Sequence, residues 1–236
     1  MIPIKDNIHR RTFPAVTLLI IFANIAIFIY QLSTYVADNY DIVYNYGAIP
    51  LFFTDGLVLF LAGDPLFMAV LPNAVMTLFT SVFLHGGWLH LLGNMLYLWV
   101  FGPNVEGRLG SFKFLVLYLL MGAAGSLFHI ALNPESPVPL IGASGAIAGV
   151  LGLYFMFYPG AKVLTLVPIF FFITFIHIPA LIFLGFWFLL QLNNAFGAES
   201  AAGMQSVAWW AHVGGFTVGL ILGIVNRRKK TDILRY

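Results

Sequence analysis

The chain has 236 residues, of which 61% are hydrophobic, 17% are aromatic and only 8% are charged. Soluble domains carry roughly 25% charged residues, so this composition excludes a water-soluble globule and predicts an integral membrane protein. A net charge of +2, from 11 basic and 9 acidic residues, leaves no basic surface for nucleic acid. The absence of cysteine excludes disulfides, thiolate metal sites and thiol nucleophiles.

Six apolar segments approach the roughly 20 residues that a helix needs to cross a bilayer. They cover residues 14–34, 87–102, 112–132, 142–158, 178–194 and 205–226. Two other apolar stretches, 65–84 and 163–177, contain Pro72 and Pro168, and we interpret both as interfacial or re-entrant pieces. The sequence therefore predicts an all-α polytopic membrane protein, a single domain over residues 1–236 with six transmembrane helices.

The distribution of charge predicts the orientation of these six spans. With the amino terminus inside, every basic residue falls on the cytoplasmic side, as the positive-inside rule requires. These residues are Lys5, Arg10, Arg11, Arg108, Lys113, Lys162, Arg227, Arg228, Lys229, Lys230 and Arg235. The outer segments carry acidic residues and no Lys or Arg, namely Asp38, Asp41, Asp55, Asp64, Glu135 and Glu199. Both termini are therefore predicted to be cytoplasmic.

Residues 36–86 form a long outer connection that is too apolar to be disordered, so we expect it to lie partly in the outer leaflet. The tails outside the spans are short and no organelle-targeting segment is apparent, which favours a prokaryotic plasma membrane. Four tryptophans are interpreted as aromatic belts at the membrane interfaces, namely Trp88, Trp99, Trp209 and Trp210.

Few polar side chains fall inside the spans, and each needs a reason, because an unpaired polar group in lipid costs several kcal/mol. They are His90, Asn94, His129, Ser144 and His212. Spans two, four and six run in the same direction, and at about 1.5 Å per residue all of these except His129 share a layer about 3–11 Å below the outer surface. The shared depth predicts that these four groups converge, whereas His129 is interpreted as structural.

Glycines at a spacing of four residues indicate how two of these helices meet. Gly145 and Gly149 in span four, and Gly215 and Gly219 in span six, form the small-residue pattern that lets helix backbones approach closely in lipid. Such an approach would bring the side chains that precede these glycines into hydrogen-bond reach. A serine beside a histidine is an activated nucleophile, so the pattern predicts a catalytic pair.

The start of span four offers a site for developing negative charge. Ser144 follows Gly142 at a helix amino end, where its N–H has no partner within the helix. His90 and Asn94 would add side-chain donors. Each feature also has a structural interpretation, since serines often bond to their own helix and His or Asn can hold helices together. Their common depth and direction favour catalysis.

Four spaced motifs follow one another along the chain. They are H-x-x-x-x-H-x-x-x-N at His85, His90 and Asn94, G-x-x-x-E-x-x-x-G around Glu106, G-A-S-G at 142–145 and A-H-x-x-G-x-x-x-G at 211–219. In this order they resemble the motifs of the rhomboid family of intramembrane serine proteases. The resemblance extends from about Tyr46 to Gly223.

The resemblance implies a Ser144–His212 dyad that cleaves transmembrane segments of other membrane proteins near the outer face, without a cofactor or a metal. It also implies an oxyanion site formed by His90, Asn94 and the Ser144 N–H. His85 is implied to tie the outer loop to span two. The other residues expected to support the site are Gly142, Gly145, Gly215, Gly219 and Glu106.

The sequence departs from the family pattern at two places. Met76–Thr77 stands where many members carry a Trp-Arg pair, and Ala148 stands where some carry an aromatic residue that stacks on the catalytic histidine. Two alternatives stay open: a pseudoprotease that binds membrane clients, and a small transporter or channel. The presence of both Ser144 and His212 disfavours the first, and the lack of polar groups in the inner half of the bilayer disfavours the second. The oligomeric state is left open.

Overall fold

The computed structural model describes residues 1–9, 12–36, 41–169, 172–198 and 207–226. Within them the chain forms nine α-helices: α1 (Ala15–Val36), α2 (Asp41–Tyr46), α3 (Pro50–Leu61), α4 (Phe67–Thr80), α5 (Trp88–Leu109), α6 (Ser111–Leu132), α7 (Ser144–Phe157), α8 (Ala180–Ala198) and α9 (Trp209–Val225). Some residues used to predict the orientation lie outside the described residues, namely Arg10, Arg11, Asp38, Glu199 and the basic residues of 227–235.

Three of these helices, α1, α6 and α8, are each long and apolar enough to cross a membrane. The segment Phe67–Phe83, which comprises α4 and a short 3-10 turn, meets α5 at 81°, and together the two would count as a fourth, bent span. The apolar helices α3, α7 and α9 are shorter. The prediction of six crossings with cytoplasmic termini therefore stays a prediction.

The structure contains a small sheet that the sequence analysis did not predict. Strands β1 (Ile2–Asp6), β2 (Lys162–Ile169) and β3 (Phe172–Pro179) pair antiparallel in the order β1-β2-β3. The described residues of the stretch 163–177 thus lie in two paired strands, since its β-branched and aromatic residues favour strands and Pro168 disfavours a helix. The expected all-α class is corrected to a mostly helical fold with one three-stranded sheet.

From residue 41 onwards, the outer connection is folded, in agreement with its apolar content. Helices α3 and α4 pack so closely that a Cβ atom at Gly56 would lie 3.1 Å from the Cα atom of Leu71. Ala48 and Leu140 exchange two backbone hydrogen bonds of 3.0 and 2.8 Å, which fix this connection beside the segment that leads into α7. Several large apolar side chains of α3, α4 and their junction are more than half exposed, namely Phe52, Val58, Phe60, Leu61, Leu66 and Met68.

Helix α7 lies at the centre of the helical bundle. It packs against α5, α6, α8 and α9, and its contact with α9 is the most extensive of its helix contacts. Most of its side chains are fully buried, among them Ala146, Ala148, Val150, Leu153 and Tyr154. Because α7 begins at Ser144, the centre of the bundle also fixes the position of that residue.

Candidate active site

Glycines bring the backbones of α7 and α9 into direct contact. A Cβ atom at Gly215 would overlap the carbonyl oxygen of Gly145, and one at Gly219 would overlap the carbonyl oxygen of Gly149. No residue larger than glycine fits these positions without displacing a helix. The two helices are therefore held at a fixed distance and in a fixed register.

This contact sets the distance between two predicted site residues. The Oγ atom of Ser144, on α7, lies 2.7 Å from Nε2 of His212, on α9. Ser144 precedes Gly145 by one residue and His212 precedes Gly215 by three, so both side chains extend from the same end of the glycine contact. The imidazole is almost fully buried, with 8% of the residue exposed.

The backbone before Ser144 adopts a conformation that requires glycine. Gly142 has φ of +125°, and a Cβ atom there would lie 2.7 Å from Nε2 of His90 and 3.6 Å from Oγ of Ser144. The Gly142 N–H donates to the Ser81 carbonyl at 2.9 Å, which ties this turn to the end of the outer connection. Because Gly142 has no side chain, the space beside the serine stays open.

The hydrogen bonding of His90 determines which of its ring nitrogens can act as a donor. The Gly86 N–H donates to Nδ1 at 3.3 Å, so in the neutral ring the hydrogen is on Nε2. That nitrogen lies against Gly142, and the Ser144 hydroxyl is close to the same glycine. His90 therefore presents an N–H donor next to the serine.

Asn94 and His85 form a hydrogen-bonded pair next to His90. The Asn94 amide nitrogen lies 3.0 Å from Nε2 of His85 and can donate one hydrogen to it, which leaves its second hydrogen for another acceptor. The backbone of His85 is bonded in turn to Gln31 of α1, whose side chain donates to its carbonyl and accepts from its N–H. Burial, and then the nearby His90, lower the pKa of His85 to about 4, so the ring is neutral at pH 7.

One residue at the site was missed by the sequence analysis. Oε1 of Gln191, on α8, lies 2.9 Å from Nδ1 of His212, the ring nitrogen opposite the serine. No motif links Gln191 to His212, which is 21 residues away. Its depth is the signal that could have found it. Gln191 is seven residues, or about 10 Å, from the end of α8 that the charge pattern predicts to be outer, which is within the layer predicted for the other polar groups.

Two aromatic rings pack near His212, although neither comes from the position that carries one in some members of the rhomboid family. Ala148 is buried and offers no ring, whereas the rings of Trp187 and Trp209 lie with centroids 6.1 and 5.8 Å from the imidazole. The interpretation of Trp209 and Trp210 as interfacial belts stays a prediction, but both residues also pack within the protein. Trp209 packs edge-on against the imidazole, and Trp210 is buried with its ring against aromatic side chains of α6 and α8.

A pocket opens next to Ser144 and is lined mainly by small and apolar residues. Beyond Ser144 and its neighbours Gly142, Gly145 and Ala146, the lining consists of Ser81, Gly122, Ser126, Leu140, Ile141, Ala208 and Ala211. The pocket thus places a compact apolar surface beside the hydroxyl. In the part of the chain that is described, no group of three or more His, Asp or Glu is arranged to hold a metal ion.

Glu106 lies at the other end of α5, away from the serine, and caps α1. Its carboxylate accepts the N–H groups of Val16 and Thr17 at 3.0 and 2.8 Å, both in the first turn of α1. It also accepts the hydroxyls of Thr17 and Ser111, each at 2.7 Å. Because Ser111 begins α6, one buried side chain connects the ends of three helices.

Comparison with known proteins matches the chain to one protein family. The family model described as Rhomboid domain matches residues 72–229, more than half of the chain. Rhomboid protein 1, mitochondrial, of Saccharomyces cerevisiae is 34% identical over 61% of the chain, and RHOMBOID-like protein 1 of Arabidopsis thaliana is 32% identical over 67%. Rhomboid protease GluP of Bacillus subtilis is 47% identical over a shorter stretch, 32% of the chain.

These relatives are longer proteins, and only part of each is matched. The similar segments cover 39% of the yeast protein, 36% of the Arabidopsis protein and 14% of the Bacillus protein. The residues that the family model matches include both helices of the glycine contact. The matched family and the three long apolar helices together identify a multi-pass integral membrane protein.

Proposed function

The chain belongs to the rhomboid family, and we propose that it is an intramembrane serine endopeptidase that cleaves transmembrane segments of other membrane proteins near the outer membrane face. The observation that supports this proposal most directly is the 2.7 Å hydrogen bond between Ser144 and His212. A hydroxyl bonded to an imidazole nitrogen is the arrangement in which serine acts as a nucleophile. That GluP is named a protease supports the same activity.

In the proposed mechanism, the Ser144 oxygen attacks the scissile carbonyl while Nε2 of His212 takes the hydroxyl proton. The imidazolium then gives this proton to the leaving amine, and the peptide bond breaks to leave an acyl-enzyme. Water, activated by the same imidazole, hydrolyses the ester and restores the serine hydroxyl. His212 hydrogen-bonds to a neutral amide on its other side, so the chemistry is that of a dyad without a carboxylate.

The oxyanion of the tetrahedral intermediate would be stabilised by three donors. Ser144 is the first residue of α7, so its N–H has no partner within that helix. His90 contributes the Nε2–H that lies against Gly142, and Asn94 contributes the amide hydrogen that it does not give to His85. Preorganised donors of this kind are worth most in a site with little water.

The substrate must reach this site as an unfolded peptide, because a helix buries its carbonyls in its own hydrogen bonds. Small or helix-breaking residues near the cleaved bond lower the cost of local unwinding. The small, apolar lining of the pocket next to Ser144 is compatible with such residues. We therefore expect transmembrane proteins as substrates, lipid as the surrounding medium, and neither nucleic acid nor a cofactor as a partner.

For the membrane arrangement we propose six crossings, by α1, α5, α6, α7, α8 and α9, with both termini in the cytoplasm. All basic residues then lie inside, and the start of α7 lies near the outer face. We further propose a prokaryotic plasma membrane. Similarity to GluP of Bacillus subtilis supports this location, whereas the yeast relative is named mitochondrial.

The test is labelling with a fluorophosphonate probe, which needs no knowledge of the substrate. The purified protein is labelled in detergent and in lipid nanodiscs, beside the variants Ser144→Ala and His212→Ala. Ser126→Ala is the matched control, because Ser126 is a buried serine that lines the same pocket. We expect wild type and Ser126→Ala to be labelled, and the other two variants to remain unlabelled.

Labelling that persists in Ser144→Ala would reject Ser144 as the nucleophile. A folded wild type that resists labelling in both environments would reject the enzyme and favour a pseudoprotease that binds membrane clients. Cleavage of a reporter transmembrane peptide with small residues near its outer end then extends the test from nucleophile to endopeptidase.

A further inference from the structure

An amide from α8 occupies the side of His212 that faces away from the serine. Oε1 of Gln191 lies 2.9 Å from Nδ1 of the imidazole, and only 6% of Gln191 is exposed. The two side chains come from different helices, α8 and α9, so their contact is not imposed by sequence neighbours. A buried amide at this point determines whether the ring nitrogen that it contacts carries a hydrogen.

The orientation of the amide follows from its second hydrogen bond. The Nε2 atom of Gln191 lies 3.0 Å from the backbone carbonyl of Trp187, one turn earlier on α8. A carbonyl oxygen can only accept, so the NH₂ group must face Trp187 and the amide oxygen must face His212. The helix backbone thus decides which end of the side chain meets the ring.

From this we infer that Gln191 is a positioning residue that holds His212 as the tautomer with hydrogen on Nδ1. The amide oxygen can only accept, so Nδ1 must donate, and Nε2 of the neutral ring is left unprotonated. This unprotonated nitrogen lies 2.7 Å from the Ser144 hydroxyl oxygen and accepts its hydrogen. The catalytic consequence rests on the proposed function, whereas the tautomer itself does not.

The same bond keeps the ring in place through the reaction. When Nε2 takes the serine proton, Nδ1 remains protonated and still donates to the amide oxygen, so no bond on that side has to rearrange. Trp187 adds its ring, 6.1 Å from the imidazole and tilted by 33°. Gln191 and Trp187 therefore hold the general base from one turn of α8.

The experiment combines nitrogen NMR with kinetics. Protein labelled with ¹⁵N-histidine is reconstituted in nanodiscs, and the His212 signals are assigned by their loss in His212→Ala. Gln191→Leu removes the acceptor at similar volume, and Gln191→Glu keeps an oxygen acceptor. Asn193→Leu is the matched control, because Asn193 lies on the same helix but is exposed.

We expect wild type, Asn193→Leu and Gln191→Glu to show His212 with a protonated Nδ1 and an unprotonated Nε2. In Gln191→Leu this preference for one tautomer should be lost. In Gln191→Leu, kcat for the reporter peptide should fall by about 10- to 100-fold with KM unchanged, since His212 is present but is no longer held as the reactive tautomer. In Gln191→Glu, kcat should stay closer to that of wild type than in Gln191→Leu, because an oxygen acceptor for Nδ1 remains.

A Gln191→Leu protein that retains the wild-type tautomer would overturn the inference. So would a fall in kcat that Asn193→Leu shares, because that outcome assigns the effect to α8 packing. If wild type is neither labelled by fluorophosphonate nor active on the peptide, the proposed function fails. The ¹⁵N pattern still decides the role of Gln191 in that case, because it is read without turnover.

Discussion

The Cα hydrogens of Gly215 face the carbonyl oxygen of Gly145 at a separation that leaves no room for a methyl group. These two residues connect α7 to α9 directly beside the Ser144–His212 hydrogen bond. The geometry of the dyad therefore depends on a backbone contact and not on the side chains alone.

Gly215→Ala should separate the dyad while keeping every catalytic group. The added methyl pushes α9 away from α7, and a displacement of about 1 Å at a reacting group can cost on the order of 10²-fold in rate. Fluorophosphonate labelling rates give the measurement. Gly185→Ala is the control, because a methyl at Gly185 on α8 meets no atom within 4 Å. Equal labelling rates for the two variants would contradict this account of the glycine contact.

Asn94→Ala should lower kcat by about 10²-fold, the loss that follows removal of one oxyanion donor in other enzymes. KM should change little, since the donor acts on charge that develops only in the transition state. Asn24→Ala serves as the control for the loss of a buried amide, because Asn24 is a buried asparagine of α1 bonded to its own helix. An unchanged kcat in Asn94→Ala would remove Asn94 from the oxyanion site.

Glu106→Ala should destabilise the protein without altering the chemistry. The substitution leaves the first-turn N–H groups of Val16 and Thr17 without their acceptor, and a buried unsatisfied donor costs about 1–3 kcal/mol. Glu106→Gln, which retains one oxygen acceptor, should fall between Ala and wild type. Thermal unfolding followed by tryptophan fluorescence measures the effect, with Glu135→Ala as an exposed control. A midpoint equal to that of wild type would show that this cap contributes nothing to stability.

The membrane orientation can be measured with single thiols, because the chain has no cysteine of its own. Glu135→Cys lies between α6 and α7, and Lys162→Cys begins β2, and both side chains are exposed. In intact bacterial cells, a membrane-impermeant maleimide should label the first variant at once and the second only after lysis. The opposite pattern would invert the proposed arrangement.

Sequence reasoning located Ser144 and His212 because both precede glycines whose spacing imposes a close approach, and because their depths agree. It missed Gln191, since a single amide in an apolar helix has no partner at a fixed spacing and its role exists only once α8 packs beside α9. It also missed the hairpin of β2 and β3. A continuous apolar run lacks the alternation that reveals strands, and only its β-branched and aromatic residues indicated them.

The sheet constrains how often the chain can traverse the bilayer. Strand β1 precedes α1 and strand β2 follows α7, yet Ile2 pairs with Leu166 in one hydrogen-bonded ladder. Paired strands share one side of a membrane, so the chain between Asp6 and Lys162 must cross it an even number of times. Crossings by α1, α5, α6 and α7 meet this condition, and a fifth through residues 65–84 breaks it. A few backbone hydrogen bonds therefore require an even number of membrane crossings between β1 and β2, independently of hydropathy and charge.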